Sequence, residues 1–337
     1  MINFHENQDS IESLALSEYA VFSSKSKGRK VYEEKSELRT EFQRDRDRIL
    51  HSKSFRRLKH KTQVFISPEG DHFRTRLTHT LEVSQIGRTI ARALGLNEDL
   101  VEAIALGHDL GHTPFGHTGE MVLNKLHPKG FKHYEQSIRV VEIIESTPNR
   151  RGLNLTYEVL NGIANHTGNC KANTLEGKLI KLADRIAYIN HDIDDSIRAG
   201  IISSNDLPQE LTRILGNSHA MRIDTMIKDI VHNSYGKNFV EMSDEIGNAT
   251  ERLRKYLFET VYFNNYVKSE DEKIEAILVQ LFEFYMEDLT RIPEAHRKIY
   301  DGLNPLDEDI VCDYIAGMTD IFMIDTWKNI FEPKQWR

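Results

Sequence analysis

The segment from Gly107 to His117 constrains the chain more than any other, because it reads Gly-His-Asp-Leu-Gly-His-Thr-Pro-Phe-Gly-His. An imidazole nitrogen of His108 and a carboxylate oxygen of Asp109 are both good ligands for a divalent metal. His79 upstream and Asp184 downstream offer the same ligand types, and each falls in a separate predicted helix. Three packed helices can enclose one ion and leave positions open for water and substrate. We therefore predict a metal centre built from His79, His108, Asp109 and Asp184.

These ligand types restrict the ion without identifying it. Mixed nitrogen and oxygen ligation disfavours calcium but suits Mg, Mn, Fe, Co, Ni and Zn. An ion held in this way can polarise a phosphoryl oxygen or activate a water molecule. The sequence thus predicts a divalent metal cofactor.

The composition is that of an ordinary globular protein. The chain has 337 residues, enough for one large domain or two small ones, and 39% of them are apolar. The sequence contains no run of about 18 apolar residues, so no membrane span is predicted. The first residues lack the basic-then-apolar pattern of a secretion signal. Cys170 and Cys312 are far apart and suit a reducing compartment, so we expect a cytoplasmic protein without a membrane partner.

Charge is unevenly distributed along the chain. The formal net charge of −8 argues against a globally basic nucleic-acid binder. A basic run nevertheless precedes the metal motif, and it contains Lys53, Arg56, Arg57, Lys59 and Lys61. Such a run is typical of a solvated helix face, and a wall that binds polyphosphate fits it equally well.

Apolar spacing predicts helices over most of the chain, and strand patterns are almost absent, so the predicted fold class is all-α. Residues 64–73 read as a short β-hairpin with a Pro-Gly turn, directly before the helix that carries His79. Thr113 and Pro114 suit the N-cap and first position of a helix. The principal predicted helices span 75–94, 98–108, 175–198, 221–233, 244–263, 270–288 and 306–328.

Four titratable side chains near the metal motif are candidates for proton transfer. His117 and Glu120 are three residues apart near a predicted helix start, so they face the same way. A carboxylate beside an imidazole orients the ring and raises its basicity. His112 and then His133 rank behind this pair. The structural alternatives are a His117 that only packs and a Glu120 that only stabilises a first helical turn.

Two further segments carry a family resemblance. Residues 38–49 read Leu-Arg-Thr-Glu-Phe-Gln-Arg-Asp-Arg-Asp-Arg-Ile, and residues 55–65 read Phe-Arg-Arg-Leu-Lys-His-Lys-Thr-Gln-Val-Phe. With the four predicted ligands, they make the chain resemble the HD-domain deoxynucleoside triphosphate triphosphohydrolases. These are the bacterial dGTPase-like proteins, to which the human SAM-and-HD-domain dNTPase is distantly related. The resemblance spans about residues 37–198. Catalytic roles in related enzymes have been given to the equivalents of two pairs, His117 with Glu120 and His112 with His133.

The resemblance also implies which residues hold the substrate. Asp184, Tyr188 and Asp192 follow at intervals of four residues and share one stripe of a helix. The implied roles are metal ligand, tyrosine packed under the sugar and aspartate at the 3′-hydroxyl. Gln63 is implied to lie beside the sugar. Arg76 is implied to contact a phosphate, for which the guanidinium fork is well suited.

The fold implied is an HD-domain helical fold, and the reaction implied converts dNTP and water to deoxynucleoside and tripolyphosphate, with dGTP as one preferred substrate. The expected organisation is an N-terminal arm at 1–36, an HD phosphohydrolase core at 37–200 and a C-terminal helical extension at 201–337. Relatives form dimers, tetramers or hexamers, and some need an activating nucleotide. Two alternatives stay open. One is another HD phosphohydrolase, such as a nucleoside 5′-monophosphatase or a (p)ppGpp hydrolase, and the other is a nucleic-acid-binding protein with a vestigial metal site.

Overall fold

The computed structural model describes residues 4–63, 74–169, 171–262 and 270–334, and within these ranges the all-α prediction is confirmed. Two π-helical turns, Val140–Ile144 and Phe258–Tyr262, continue the helices before them. No helix of the described ranges is long and apolar enough to cross a membrane. The α-helices are α1 (Phe4–Ala15), α2 (Glu41–Leu50), α3 (Lys53–Arg57), α4 (Arg76–Leu94), α5 (Glu98–Gly107), α6 (Gly116–Leu126), α7 (His133–Arg139), α8 (Tyr157–Ala164), α9 (Leu175–Arg198), α10 (Gln209–Leu215), α11 (His219–Ser234), α12 (Asp244–Leu257), α13 (Asp271–Glu287), α14 (Glu294–Arg297), α15 (Asp307–Ala316) and α16 (Asp320–Phe331).

The predicted β-hairpin falls on residues 64–73, which lie outside the described residues. On either side of that segment, Thr62 and Thr75 form an isolated antiparallel bridge. The other bridges are equally short and join Arg29 to Thr156 and Thr147 to Arg150. The described ranges therefore contain no β-sheet.

The start of α6 differs from the prediction. Thr113 and Pro114 were expected at the N-cap and first position, but the N-cap is Phe115, with a left-handed φ of 57°. The Thr113 hydroxyl donates to the carbonyl oxygen of Gly116 at 2.9 Å, so it closes the turn before the helix instead of capping helical amide groups. By contrast, Asn97 caps α5 by accepting from the Leu100 amide, as that sequence pattern favours.

Packing of α4 against α5 and α9 forms the main core. Val83 from α4, Ile104 from α5 and Ile186 from α9 are fully buried in one apolar cluster. Because α4, the end of α5 and α9 carry the predicted metal ligands, this packing brings those side chains to a common junction.

The C-terminal helices pack on a second apolar cluster. The single helix predicted over 306–328 is wrong, because α15 and α16 are separated by residues 317–319 and Thr319 caps α16. Both helices contribute to the second cluster, which also contains Phe115 and Leu123. The C-terminal part of the chain therefore lies directly on the loop that follows the metal motif.

Lys61 connects this loop to the end of α15 through a buried ammonium group. Its side chain is 2% exposed, and Nζ donates to the carbonyl oxygens of His112 at 2.6 Å and Ala316 at 2.7 Å. Burial, with a smaller contribution from Arg57, lowers the pKa of Lys61 to about 7. An unfolded chain keeps this proton up to about pH 10. Between these pH values the unfolded state therefore binds more protons than the folded state.

Replacing Lys61 by methionine is expected to change the pH dependence of stability. In the wild type, Lys61 should make the free energy of unfolding rise by about 1 kcal/mol per pH unit above about pH 7, because the unfolded state holds the extra proton. Lys61→Met should lose this rise. Lys59→Met, at an exposed position, is the matched control and should keep it. Urea unfolding at several pH values measures the slopes, and equal slopes for wild type and Lys61→Met would refute the assignment.

Candidate metal centre and active site

The four predicted metal ligands meet at the junction of α4, α5 and α9. His79 lies in α4, His108 and Asp109 follow the last turn of α5, and Asp184 lies in α9. His79 Nε2 is 3.1 Å from Asp184 Oδ1 and 4.0 Å from Asp109 Oδ2. His108 Nε2 is 3.6 Å from Asp109 Oδ1 and 3.9 Å from Asp184 Oδ1. Two imidazoles and two carboxylates thus face one small volume.

This donor set fits a divalent cation. The ligand atoms of His79, His108 and Asp109 lie within 4.8 Å of one another. His108 Nδ1 is 2.6 Å from the Ala105 carbonyl oxygen, so Nδ1 carries the proton and Nε2 presents its lone pair to the carboxylates. Within the described ranges, this buried Nε2 has no hydrogen-bond partner. A buried acceptor of this kind needs a partner, and a metal ion would supply one.

Arg76 fixes one of the carboxylates. Its Nη1 donates to Asp109 Oδ2 at 2.9 Å, and both side chains are buried. Burial alone would raise the pKa of Asp109, but His108 and Arg76 hold that pKa well below its ordinary value. Arg76 Nε is buried and has no partner among the described residues. Arg76 therefore keeps Asp109 ionised.

A cavity of about 270 Å³ opens beside His79, His108, Asp109 and Asp184, which together form the predicted metal-ligand cluster. The volume of this cavity is close to the lower end of the range typical of ligand sites. All predicted site residues line this cavity except His108 and Glu120. His108 contacts the lining residue Asp109, and Glu120 contacts the lining residue His133. The lining consists of Gln63, Arg76, His79, Asp109, His112, His117, His133, His166, Thr167, Asp184, Tyr188, Asp192, Arg254 and Phe258.

Glu120 organises the histidines on one wall of this cavity. Its Oε1 accepts from the His133 amide at 3.1 Å, and its Oε2 is 3.0 Å from His133 Nδ1. His117, which the sequence ranked first, lies 3.8 Å from the same oxygen and its side chain is 73% exposed. Burial alone would raise the pKa of Glu120, but the nearby imidazoles of His117 and His133 hold it well below its ordinary value. The carboxylate is therefore ionised, with His133 as its closer partner.

His112 lies between the metal-ligand cluster and this wall. Its ring stacks on that of His133, with centroids 4.5 Å apart. Burial, and then the charge of Arg76, lower the pKa of His112 well below its ordinary value. Its Nδ1 is buried without a partner in the described part of the chain. His112 is thus a neutral imidazole at neutral pH and a weak base.

The predicted sugar-contacting residues lie along the other wall. Tyr188 and Asp192 follow Asp184 along α9, and Asp192 is 2% exposed. Burial, then the nearby charge of Asp184, raise the pKa of Tyr188 to about 12, so its hydroxyl stays protonated. Gln63 has a buried Oε1 without a partner among the described residues. Gln63, Tyr188 and Asp192 all line the cavity.

Several lining residues were missed by the sequence analysis. Arg254 and Phe258 are four residues apart at the end of α12, and this helical spacing was the available signal. His166 and Thr167 follow α8, where an isolated Asn-His-Thr-Gly stretch gave no pattern. Burial, then the adjacent His108, lower the pKa of His166 to about 3, so this imidazole is neutral.

The basic run does not line this cavity. Lys61 is buried against carbonyl oxygens. Lys53 and Arg57 line a separate groove of about 530 Å³ between α3 and the C-terminal helices. Lys53 and Arg56 also border a further groove beside α2. The cations of this run therefore face surfaces other than the metal-ligand cluster.

Two family models match parts of this chain. Residues 76–189 match the family model of the HD domain, and residues 240–329 match that of the phosphohydrolase-associated domain. A chain from Aquifex aeolicus, solved as a hypothetical protein, is 21% identical with a TM-score of 0.48, over 86% of this chain and 68% of that one.

Full-length relatives are similar over nearly the whole chain. A deoxyguanosinetriphosphate triphosphohydrolase-like protein from Caldanaerobacter subterraneus subsp. tengcongensis is 56% identical, over 98% of this chain and 96% of the relative. A protein of the same name from Clostridium perfringens is 51% identical, over 99% of this chain and 99% of the relative. Another from Geobacter sulfurreducens is 41% identical, over 97% of this chain and 98% of the relative. This protein belongs to the family of deoxyguanosinetriphosphate triphosphohydrolase-like proteins, which carry an HD domain.

Proposed function

We propose that the cavity hydrolyses deoxynucleoside triphosphates to deoxynucleoside and tripolyphosphate, with a divalent metal ion as cofactor. The observation that supports this most strongly is a single cavity lined by three of the four predicted metal ligands, by Arg76 and by Tyr188. The relatives' names refer to a triphosphohydrolase acting on deoxyguanosine triphosphate, which is the same reaction class. In the proposed reaction, water attacks the α-phosphorus and the 5′-oxygen of the nucleoside leaves.

His79, His108, Asp109 and Asp184 would hold the ion, which when bound supplies Lewis acidity at the α-phosphate. Their two imidazoles and two carboxylates suit Mg, Mn, Fe, Co, Ni and Zn alike. Arg76 keeps Asp109 ionised and lines the cavity. Its guanidinium can stabilise negative charge that builds up on the α-phosphate.

The proton for the departing 5′-oxygen is assigned to an imidazole held by Glu120. His133 is the first candidate, because its Nδ1 is 3.0 Å from the carboxylate and its side chain is 13% exposed. His117 is the second candidate, since it approaches the same carboxylate from the solvent side. His112 is neutral and would accept a hydrogen bond from the attacking water, since its lowered pKa makes it a weak base.

Sugar and base recognition is assigned to the wall formed by α9 and the end of α12. A deoxyribose packed on Tyr188 would leave no room for a 2′-hydroxyl, and Asp192 would accept from the 3′-hydroxyl. Gln63 would contact the sugar through its amide group. Arg254 and Phe258 lie on the same side of the cavity and suit a phosphate and a base, by charge and by stacking.

Replacing Glu120 by glutamine is expected to lower kcat by about 10- to 100-fold, as found when the partner that orients a site histidine is lost. The amide keeps the shape of the side chain but removes the charge that holds His133. Glu135→Gln, at an exposed position in α7, is the matched control and should leave kcat unchanged. Steady-state kinetics on both variants provide the comparison, and equal kcat values would remove Glu120 from the mechanism.

Product analysis tests the proposed reaction. The purified protein is incubated with each of the four dNTPs and with GTP, singly and mixed, in the presence of Mn or Mg. Anion-exchange chromatography should find deoxynucleoside and intact tripolyphosphate in equal amounts, with little turnover of GTP. Monophosphate with pyrophosphate, or orthophosphate, would contradict attack at the α-phosphorus with departure of the 5′-oxygen. Turnover confined to mixtures would support a separate activating nucleotide.

Further features are proposed with this function. We propose a preference for dGTP, a cytoplasmic location, a homo-oligomeric assembly and activation by a bound nucleotide. The relatives' names support the first, and the free, buried Cys312 is in keeping with the second. The division into arm, HD core and C-terminal extension at 1–36, 37–200 and 201–337 is proposed on the same footing. Nucleic acid is not a favoured partner, because the net charge is −8.

A further inference from the structure

Asp320, the first residue of α16, joins the C-terminal part of the chain to two segments of the active site. Its side chain is buried, with 1% of the residue exposed. One carboxylate oxygen accepts from the Thr62 amide at 2.9 Å and from the Thr62 hydroxyl at 2.7 Å. The other oxygen accepts from the Phe115 amide at 3.0 Å. One charged group thus holds both segments through three hydrogen bonds.

Each of these segments leads directly into a residue of the proposed site. Thr62 precedes Gln63, and Phe115 lies two positions before His117. Both Gln63 and His117 line the cavity. A shift of either segment would therefore move a group that faces the substrate.

The conformation held by Asp320 is one that a phenylalanine seldom adopts. Phe115 has φ 57° and ψ 28°, and such left-handed geometry is strained for a residue with a side chain. Gly116 follows with φ 56°, and a Cβ placed there would lie 2.7 Å from the Gln63 carbonyl oxygen. The two segments are therefore in close backbone contact, and a bond to the Phe115 amide stabilises the turn that makes this contact.

A second buried charge fastens the same loop to the same part of the chain. Lys61 Nζ donates to the carbonyl oxygens of His112 and Ala316, so the two ends of the His112–Gly116 turn are each bound to the C-terminal region. The Phe115 ring is also buried in the second apolar cluster with side chains of α13 and α15. Asp320 therefore acts within a preformed junction, where its role is to set backbone position.

We propose that Asp320 is a positioning residue of the active site. Its hydrogen bonds to Thr62 and to the Phe115 amide fix the backbone that places Gln63 and His117 in the cavity wall. The carboxylate touches neither the cavity lining residues nor the metal-ligand cluster through its own hydrogen bonds. Asp320 therefore affects turnover indirectly, through the backbone positions of Thr62 and Phe115. This inference rests on the proposed function for its kinetic readout, and its structural readout is independent of the reaction.

The test uses Asp320→Asn in the full-length protein, because asparagine keeps the shape but replaces one acceptor oxygen by a donor. Asp325→Asn, at an exposed position of the same helix, is the matched control. Asp320→Asn is expected to lower kcat by about 10- to 100-fold, the scale found for small misplacements of reacting groups. KM should change less than kcat. Amide exchange in the peptide covering residues 113–119 should be faster than in the control, measured by mass spectrometry.

Several outcomes overturn the proposal. The proposal is wrong if Asp320→Asn has the wild-type kcat and the wild-type rate of amide exchange at residues 113–119. It is also wrong if the loss of kcat disappears when rates are normalised to the folded fraction. If Asp320→Asn does not fold, Thr62→Val, which removes only the hydroxyl donor, carries the test with the same two readouts. Absence of tripolyphosphate from the wild type would instead reject the proposed function, and the exchange measurement would still decide the role of Asp320.

Discussion

Replacing His108 by alanine is expected to abolish both metal binding and turnover. The imidazole has a buried, unpaired Nε2 that faces Asp109 and Asp184, so its removal takes away one ligand from a small donor set. Loss of the ion would cost several kcal/mol of transition-state stabilisation, or at least about 10³-fold in kcat/KM. Metal content by mass spectrometry and steady-state kinetics measure the two effects together.

The matched control for this variant is His127→Ala. His127 is also a buried histidine, but it pairs with Asp309 at 3.1 Å, at the contact between α6 and the start of α15. This variant should lose some stability and retain metal and activity per folded molecule. Full metal content and wild-type rates in His108→Ala would show that the metal centre has been assigned to the wrong residues.

Replacing Gly111 by alanine is expected to have an effect of similar size for a purely steric reason. A Cβ at this position would lie 2.1 Å from the Ser137 amide nitrogen and 2.5 Å from the His133 carbonyl oxygen, and both belong to the backbone of α7. The Gly111 amide also donates to the Ser137 hydroxyl, which in turn donates to the His108 carbonyl oxygen. Because backbone cannot rotate away, α7 must move.

That movement would displace His133 from the wall of the cavity and from the metal-ligand cluster. A misplacement of about 1 Å costs on the order of 100-fold in rate, and stability should fall as well. Gly247→Ala in α12 is the control, since its nearest neighbour is Met242 Cβ at 3.6 Å. It should keep full activity and gain up to about 1 kcal/mol of stability from better helix propensity. Thermal unfolding and kcat measured on both variants give the comparison, and wild-type behaviour of Gly111→Ala would mean that the packing of α7 differs from that described.

The meeting of the four predicted metal ligands at one junction could be anticipated, because local sequence determines the helices that carry them. The His-Asp pair follows a helix whose N-cap is evident from Asn97, and α4 and α9 have clear apolar stripes. Helices of that kind must pack on one another, which brings the remaining ligands within reach. The stripe Asp184, Tyr188 and Asp192 follows from helical geometry in the same way.

Contacts between distant segments could not be predicted from these patterns. Asp320 binds Thr62 across 258 residues, and Lys61 binds Ala316 across 255, with no periodicity that links them. The burial of Lys61, within the basic run, could not be predicted either, because it depends on where the C-terminal helices pack. The choice between His117 and His133 as the closer partner of Glu120 was also open, since it depends on the loop between α6 and α7.

Hydrolysis of dGTP in water enriched in oxygen-18 tests the central claim most directly. If water attacks the α-phosphorus and the 5′-oxygen leaves, mass spectrometry will find the label in tripolyphosphate and none in the deoxynucleoside. Label in the deoxynucleoside would place the cleavage at the carbon–oxygen bond, and label in orthophosphate or pyrophosphate would place the attack at the β- or γ-phosphorus. Either result would contradict the proposed reaction at this metal centre.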